Sequence, residues 1–138
     1  MEQKGLAAVV VSYSTVIDAY AKKGEIAGAE RALARMEQKG VAADFVNYST
    51  VIGAYAKQGD VAGAERALAR MERRGVAADV VSYNTLIDAY AKQGDTAGAE
   101  RALARMEQKG VAADVVSYST VTDAYAKQGD IAGDVIVL

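Results

Sequence analysis

The sequence contains no cysteine, histidine, proline or tryptophan, and it has only one phenylalanine. The absence of cysteine excludes disulfides. The absence of both cysteine and histidine excludes thiolate and imidazole metal ligands, and any catalytic triad or dyad built on them. The remaining carboxylate, lysine and hydroxyl side chains include no nucleophile with a recognisable base. We therefore expect neither an enzyme nor a bound cofactor or metal ion.

Long apolar runs and strong net charge are missing as well. The longest apolar run covers residues 6–11, whereas a membrane-spanning helix needs about 20 such residues. The N-terminus has no signal-peptide pattern, and no targeting signal is evident, so the compartment is unknown. The net charge of −2 gives no general attraction to duplex DNA or to membrane surfaces. We expect a soluble protein.

The chain repeats one phrase four times. The stretch VVSYNTLIDAYAKQGD at residues 80–95 returns with small changes from Val10, Phe45 and Val115, so the period is 35 residues. The predicted units are a remnant of a preceding repeat at 1–9, whole repeats at 10–44, 45–79 and 80–114, and a partial repeat at 115–138. The first and third units agree at 30 of 35 positions. This identity favours a synthetic consensus design, with very recent duplication as the other explanation.

Each unit has the pattern of two helices. In the second unit, an apolar stripe with helical spacing runs from Tyr48 to Tyr55. Asp44 precedes this stripe as a helix cap, and Gly59 follows it as a helix end. Asp60 begins a second helix in the same way, and the short connections make adjacent helices antiparallel. Because stacked copies bury both stripes, we predict an all-α fold, a right-handed α-solenoid of antiparallel hairpins with about seven helices.

The phrase, its period and the closing pattern M…GV..D resemble the pentatricopeptide repeat (PPR) family over nearly the whole chain. Tetratricopeptide repeats, the nearest alternative, have a period of about 34 residues and a W..LG..Y pattern that this sequence lacks. The PPR family usually has proline before the closing aspartate, where this chain has Ala43, Ala78 and Ala113. Loss of that proline raises the entropy of the unfolded chain. It affects the rigidity of the turn more than the assignment to the family.

The resemblance implies binding of single-stranded RNA, with one base per repeat and the N-terminal repeat towards the 5′ end. In the family, the fifth residue of a repeat and its closing residue together choose the base. The implied base-selecting pairs are Ser14 with Asp44, Ser49 with Asp79, and Asn84 with Asp114, and Ser119 begins a fourth pair. By the family's code, the first two pairs favour G and the third favours U. The implied target is therefore 5′-GGU-3′.

The chemistry of these side chains is compatible with the code. An ionised aspartate only accepts hydrogen bonds, and guanine and uracil present a ring N–H donor where adenine and cytosine present an acceptor. Serine leaves room for a purine, and the larger asparagine can reach a pyrimidine in splayed single-stranded RNA. The alternative is that these serine and asparagine side chains are simply solvated and that the aspartates are plain helix caps.

Two further sets of positions follow from the resemblance. The base-sandwiching positions of the family correspond to Val11, Val46, Val81 and Val116, which in the alternative interpretation pack under the neighbouring repeat. The phosphate-contacting lysine of the family corresponds to Lys22, Lys57, Lys92 and Lys127. The alternative for the lysines is a surface ion pair, because an aspartate precedes three of them by one helical turn. Gly53 replaces that aspartate in front of Lys57.

The remaining candidates are interpreted as structural. The tyrosines fall in the first-helix stripes and are expected in the core. The arginine rows on the second helices are expected to form a solvated face, and they comprise Arg31 with Arg35, Arg66 with Arg70, and Arg101 with Arg105. A glycine that recurs in the first turn of each second helix is expected to allow close helix packing, at Gly28, Gly63, Gly98 and Gly133.

The expected affinity for RNA is weak. Stacking of three bases on valine supplies about 3–6 kcal/mol, which corresponds to millimolar to high micromolar binding. A slightly acidic protein gains little from counterion release. Two alternatives remain open: a structural repeat scaffold without measurable RNA binding and, less favoured, a peptide-binding solenoid. The terminal helices lack capping repeats, so end-to-end association of copies through them is a further expectation.

Overall fold

The computed structural model describes the backbone of residues 3–127 and the side chains of residues 13–127. This part of the chain contains seven α-helices and no β-strand. The helices are α1 Gln3–Lys22, α2 Ile26–Gln38, α3 Phe45–Lys57, α4 Val61–Arg73, α5 Val80–Lys92, α6 Thr96–Gln108 and α7 Val115–Lys127. The predicted partial repeat at 115–138 is therefore described only as far as Lys127, and Gly133 lies outside the described residues.

Aspartate side chains fix where most of the helices begin. The Asp44 carboxylate accepts a hydrogen bond from the Asn47 backbone N–H at 3.1 Å. The Asn47 amide oxygen accepts one from the Asp44 N–H at 2.9 Å, which completes a capping box at the start of α3. Asp60 caps α4 through the Gly63 N–H at 2.9 Å. The predicted caps at Asp44 and Asp60 are confirmed.

Glycine in the left-handed conformation ends the helices at the hairpin turns. Gly59 has a φ of 74°, a region that residues with a Cβ rarely occupy. The N–H of the following Asp60 reaches back to the Tyr55 carbonyl oxygen at 3.0 Å, which closes the turn. The predicted helix end at Gly59 is therefore confirmed, and Gly75 ends α4 in the same way with a φ of 82°.

The first helix begins earlier than the repeat pattern suggests. Helix α1 starts at Gln3, well before Val10. Residues 1–5 have the same sequence as residues 36–40, in which Gly40 has a φ of 73° at the end of α2. At the N-terminus, however, Val9 stands where Asp44 stands before α3, so no side-chain acceptor favours a new helix start. Residues 3–9 therefore continue the first helix, and the repeat boundaries themselves stay a prediction.

The described helices stack as three hairpins and one further helix. Helix α1 packs with α2, α3 with α4 and α5 with α6, and the first helices contact one another in the order α1, α3, α5, α7. Each second helix also touches the next first helix. The buried core runs through all of these repeats, with Ile17, Ile52 and Ile87 from first helices and Met36 and Met106 from second helices. The predicted α-solenoid is confirmed.

A polar layer joins consecutive repeats beside this core. Arg70 of α4 forms ion pairs with Glu30 at 2.7 Å and with Glu37 at 2.8 Å, both on α2. On α3, the hydroxyl groups of Tyr48 and Tyr55 donate hydrogen bonds to Glu37 and Glu30, each at 2.5 Å. Each glutamate is therefore shared between an arginine and a tyrosine of the next repeat, which fixes the register of the stack.

The expectation of a solvated arginine face is wrong for two members of the rows. The Arg70 side chain is only 22% exposed. Arg105 pairs with Glu65 of the preceding repeat at 2.8 Å, where Tyr90 also donates a hydrogen bond. Arg105 and Glu65 are 40 residues apart, and only the stacking of repeats brings them together. The members that are exposed as expected include Arg31, Arg66 and Arg101.

The predicted close packing at the recurring glycine is confirmed at three positions. A Cβ added at Gly63 would overlap the Tyr55 ring. The other two contacts of this kind join Gly28 with Tyr20 and Gly98 with Tyr90. Earlier on the same first helices, Tyr48 and Tyr83 are buried, as expected for core residues. The expectation is wrong for Tyr118 on α7, which is 50% exposed because no described helix packs over it.

The part of the chain that the structure describes has no helix long and apolar enough to cross a membrane. Within the same residues, no acidic side chains cluster in a way that could hold a metal ion.

Candidate nucleic-acid interface

The predicted base-selecting pairs lie at the junctions between consecutive repeats. Each closing aspartate precedes the first helix of the next repeat, and that helix packs on the first helix that carries the fifth residue. The fifth residues Ser14, Ser49 and Asn84 are half-buried, and the closing residues Asp44, Asp79 and Asp114 are exposed. The stack thus brings Asn84 and Asp114 into contact although they are 30 residues apart.

The third junction connects its pair directly. The Asn84 amide nitrogen donates to Asp114 Oδ1 at 3.1 Å. The Ser117 hydroxyl donates to the Asn84 amide oxygen at 2.5 Å, and the Ser117 backbone N–H donates to Asp114 Oδ1 at 3.0 Å. Both ends of the Asn84 amide are therefore oriented by protein partners, and each end keeps one further hydrogen-bonding capacity.

The same contacts keep the Asp114 carboxylate charged. Hydrogen bonds from the Ser117 backbone N–H and from the Asn84 amide hold the pKa of Asp114 below its ordinary value of 3.8. An ionised aspartate is a hydrogen-bond acceptor only. At neutral pH, Asp114 therefore suits a base that offers an N–H donor, as guanine and uracil do.

The first junction connects its pair indirectly. Asn47, the third residue of the second repeat, donates from Nδ2 to Ser14 Oγ at 2.7 Å. The same Asn47 exchanges capping hydrogen bonds with Asp44. It is only 1% exposed, so it supports the pair from the protein interior. Ser14 and Asp44 are thus members of one network that Asn47 holds together.

The second junction lacks such a link. The third residue of the following repeat is here Ser82. Its backbone N–H and its hydroxyl both donate to Asp79 Oδ1, at 3.1 and 3.4 Å. The Ser49 hydroxyl oxygen is shielded from solvent and has no hydrogen-bond partner in the structure. Leaving a buried hydroxyl unsatisfied costs about 1–3 kcal/mol. Two Ser–Asp pairs that are identical in sequence therefore have different surroundings.

Exposed valines accompany the pairs. Val46, Val81 and Val116 are 60, 57 and 56% exposed on the first turns of α3, α5 and α7. More than half of each side chain is therefore open to solvent, and the covered remainder is compatible with packing against the neighbouring repeat, so the two interpretations can hold together. The side chain of Val11 lies outside the described residues. At each of the three junctions, an apolar side chain two positions after the closing aspartate is available to a ligand.

The predicted phosphate-contacting lysines differ in how free they are. Two of them form ion pairs at 3.0 Å, Lys22 with Asp18 and Lys92 with Asp88, as the alternative interpretation predicts. Lys57 has no such partner, because Gly53 stands at the equivalent position. Lys57 lines a groove of about 250 Å³ that Ser49 also borders, and the ion pair of Asp18 with Lys22 lies along the same groove. At the end of α7, Lys127 is exposed, and Ser119 is exposed on the same helix.

Sequence reasoning missed the third residue of each repeat. Asn47, Ser82 and Ser117 are buried, and the backbone N–H of each donates to the closing aspartate of the preceding repeat. A signal was present, because this position changes between serine and asparagine just as the fifth position does. Its meaning depends on a contact between residues 33 apart, Asn47 and Ser14, which only the stack reveals.

Comparison with known families identifies the repeat. Residues 8–54 and 78–127 match the PPR repeat family, and residues 46–76 match the PPR repeat. The chain belongs to the pentatricopeptide repeat family. The resemblance drawn from the repeated phrase is confirmed, whereas comparison with curated protein sequences gives no significant match.

Solved PPR proteins share this fold. The crystal structure of the pentatricopeptide repeat protein PPR10 from maize superposes with a TM-score of 0.84 over 93% of this chain, at 30% sequence identity. The crystal structure of PPR10 in complex with an 18-nt psaJ RNA element gives a TM-score of 0.75 over 91% of this chain, also at 30% identity. The matches cover 19% of the PPR10 chain, so this chain spans about a fifth of that protein.

Proposed function

We propose that this PPR array binds single-stranded RNA along the surface formed by its repeat junctions, with one base at each pair. The observation that carries the proposal recurs at three consecutive junctions. Each one has an exposed aspartate, a half-buried serine or asparagine, and an exposed valine within one helical turn of the aspartate. The similarity to PPR10, which was solved with an 18-nt psaJ RNA element, supports RNA as the ligand.

The proposed target is 5′-GGU-3′, read from the N-terminal repeat. The aspartates of all three pairs are suited to accept the ring N–H of guanine or uracil. At the third junction, Asn84 fills more of the site than serine does and offers one free N–H and one free lone pair, which suits a pyrimidine. Val46, Val81 and Val116 supply the apolar faces on which bases lie, and Val11 belongs to the same proposed set.

The proposed phosphate contacts are unequal along the array. Lys57 has no aspartate one helical turn before it, and Asp18 in the same groove is paired with Lys22, so we expect Lys57 to contribute most. Lys22 and Lys92 must break their ion pairs before they can contact a phosphate group. This cost reduces what each contributes to the free energy of RNA binding. Because the net charge is −2, we expect weak binding that falls further as salt is added.

The test is fluorescence anisotropy with labelled single-stranded RNA that contains GGU, against GGA and poly-A controls, at low and moderate salt. We expect tighter binding to GGU than to GGA, and no preference for poly-A. No binding at protein concentrations near a millimolar would contradict the proposal and would support the structural scaffold. Binding of peptides but not RNA would support the peptide-binding solenoid instead.

A second proposal is that copies of this chain associate end to end. On the first repeat, Tyr13, Tyr20, Arg31 and Arg35 line a cavity of about 500 Å³. On the second repeat, residues equivalent to both tyrosines and to Arg35 bind glutamates of the preceding repeat. Glu100 and Glu107 on α6 are exposed. Each already accepts a hydrogen bond from a tyrosine of α7, and its remaining carboxylate oxygen offers complementary charge to the arginines. Light scattering should show a size that rises with concentration; a monodisperse monomer over a wide range would contradict the proposal.

A further inference from the structure

We propose that the third residue of the following repeat is a further specificity-determining residue. In this view, Asn47 and Ser82 set how strictly the first and second pairs distinguish guanine from adenine. The inference rests on the proposed RNA binding and goes beyond it, because the two pairs consist of the same residue types. It is carried by the different hydrogen bonds that the structure gives to the hydroxyl groups of Ser14 and Ser49.

At the first junction, Asn47 restricts the hydrogen bonds that the Ser14 hydroxyl can make. A serine hydroxyl has one donor hydrogen and two acceptor lone pairs. The Asn47 amide nitrogen occupies one lone pair of Ser14 at 2.7 Å. Asn47 cannot turn away, because its amide oxygen accepts the Asp44 N–H and its side chain is buried. One lone pair stays available, but the loss of the other leaves the Ser14 hydroxyl with fewer ways to accept, so the pair favours an O–H donor from Ser14 beside a carboxylate acceptor from Asp44.

This order of donor and acceptor matches guanine and opposes adenine. The guanine edge carries the O6 acceptor beside the N1–H donor. The adenine edge carries the N6 amino donor beside a bare N1 acceptor. A favoured donor at Ser14 and an acceptor at Asp44 thus complement guanine at both points. With adenine, Asp44 is mismatched and Ser14 must accept through its one remaining lone pair.

At the second junction, the Ser49 hydroxyl has no partner to fix it. Ser82 is too short to bridge the gap and directs its own hydroxyl to Asp79. Since no bond holds it, the Ser49 side chain can turn from its shielded position towards a base. Its hydroxyl can then donate to guanine O6 or accept from the adenine amino group, since a hydroxyl rotates to suit its partner. We expect the second pair to discriminate less strictly than the first.

The third junction uses the same contact with the residue types exchanged. Here the amide is on the fifth residue, Asn84, and the third residue of the next repeat is Ser117. The first and third junctions each contain one amide, and in each it orients the pair. The second junction contains no side-chain amide, and its Ser49 hydroxyl is unsatisfied. A hydrogen bond between the fifth residue of one repeat and the third residue of the next therefore forms only where one of the two is asparagine.

The test is a reciprocal exchange, Asn47→Ser and Ser82→Asn, with anisotropy measured on GGU, AGU and GAU. Serine already occupies the third position of the third and fourth repeats and supports the helix cap there, so both variants are expected to fold. In the unsubstituted protein, we expect the G over A ratio at the first base to exceed that at the second by about fivefold, the size of one hydrogen bond. Asn47→Ser should lower the first ratio, Ser82→Asn should raise the second, and the double variant should exchange them.

The outcomes separate this inference from RNA binding itself. Equal ratios at the two bases, or substitutions that change the affinity for all three RNAs equally, overturn the inference and leave RNA binding intact. Absence of binding to any of the RNAs overturns the proposed function and this inference with it. Thermal melting followed by circular dichroism checks that each variant is folded. If Asn47→Ser melts at a much lower temperature than the unsubstituted protein, the G over A ratio of Ser82→Asn alone tests the inference.

Discussion

Single residues decide what otherwise identical repeats can do. Gly53 and Asp88 occupy equivalent positions, yet only Asp88 pairs with the lysine of the following turn. Gly53 and Gly63 belong to the same hairpin, yet their surroundings are opposite. A Cβ at Gly53 would meet nothing within 4 Å, whereas a Cβ at Gly63 would overlap the Tyr55 ring. Residue type alone therefore does not say whether a glycine is required for packing.

This contrast predicts opposite effects of one substitution at two positions. Gly53→Ala should raise the free energy of unfolding by about 0.5–1 kcal/mol, because alanine favours the helix and nothing obstructs its Cβ. Gly63→Ala should lower it by about 1–3 kcal/mol, because the Tyr55 ring must move within a packed hairpin. Urea unfolding measures both, and a gain of stability in Gly63→Ala would contradict the packing argument.

The free lysine in the same repeat predicts an unequal salt dependence of RNA binding. Lys57→Ala should reduce the slope of log affinity against log salt by about 0.7, the value for one phosphate contact on a single strand. Lys92→Ala should reduce it less, because Asp88 already neutralises that lysine. Gly53→Asp is the matched control, since it supplies Lys57 with an acidic partner and should imitate the loss of Lys57. Equal slopes in all three variants would show that Lys57 has no special role.

At the scale of helices, burial and hydrogen bonding act together in the layer between repeats. Burial and the bond to Glu30 raise the pKa of Tyr55 to about 12. Burial opposes ionisation of Glu37, but hydrogen bonds from Arg70 and Tyr48 outweigh burial and hold its pKa below the ordinary value of 4.5. The glutamate thus stays charged and the tyrosine neutral at intermediate pH, and in this state the bonds of the layer are intact.

The raised tyrosine pKa values predict a loss of stability at alkaline pH. Folding holds the pKa of Tyr48, Tyr55 and Tyr90 at about 12, above the ordinary value of 10. The stabilisation is therefore complete below pH 10 and is lost as the pH rises towards 12. The urea midpoint should fall across this window. The control is Tyr55→Phe combined with Tyr90→Phe, which should make the decline shallower; an unchanged decline would contradict the assignment.

The helices could be predicted from the sequence, and the contacts between repeats could not. Asp44, Asp60 and Gly59 act through residues at most five positions away, so local pattern was enough to place helix ends. The bond of Asn47 to Ser14 joins residues 33 apart, and its geometry depends on how one repeat packs on another. The family code predicts which residues form the base-selecting pairs, but it treats the first two pairs as identical. It takes no account of the buried third residue of the following repeat, which differs between them.

At the scale of the whole molecule, the proposed affinity is a sum over a few weak sites on a rigid stack. Each repeat contacts mainly its neighbours, so each junction presents its pair independently of distant ones. This chain spans about a fifth of PPR10. An array of that greater length would have more junctions over which to sum weak contacts. The low affinity expected here therefore reflects the small number of junctions and the lack of net positive charge, and base preference is a sharper readout than affinity.

The decisive experiment changes the third pair and follows the third base. Asn84→Ser converts the third junction to a Ser–Asp pair, the same pair as in the first two repeats. In competition anisotropy, the unsubstituted protein should prefer GGU over GGG, and the Asn84→Ser variant should prefer GGG over GGU. A preference for U that survives the substitution, or a protein that binds neither RNA, would contradict the claim that these pairs read the bases.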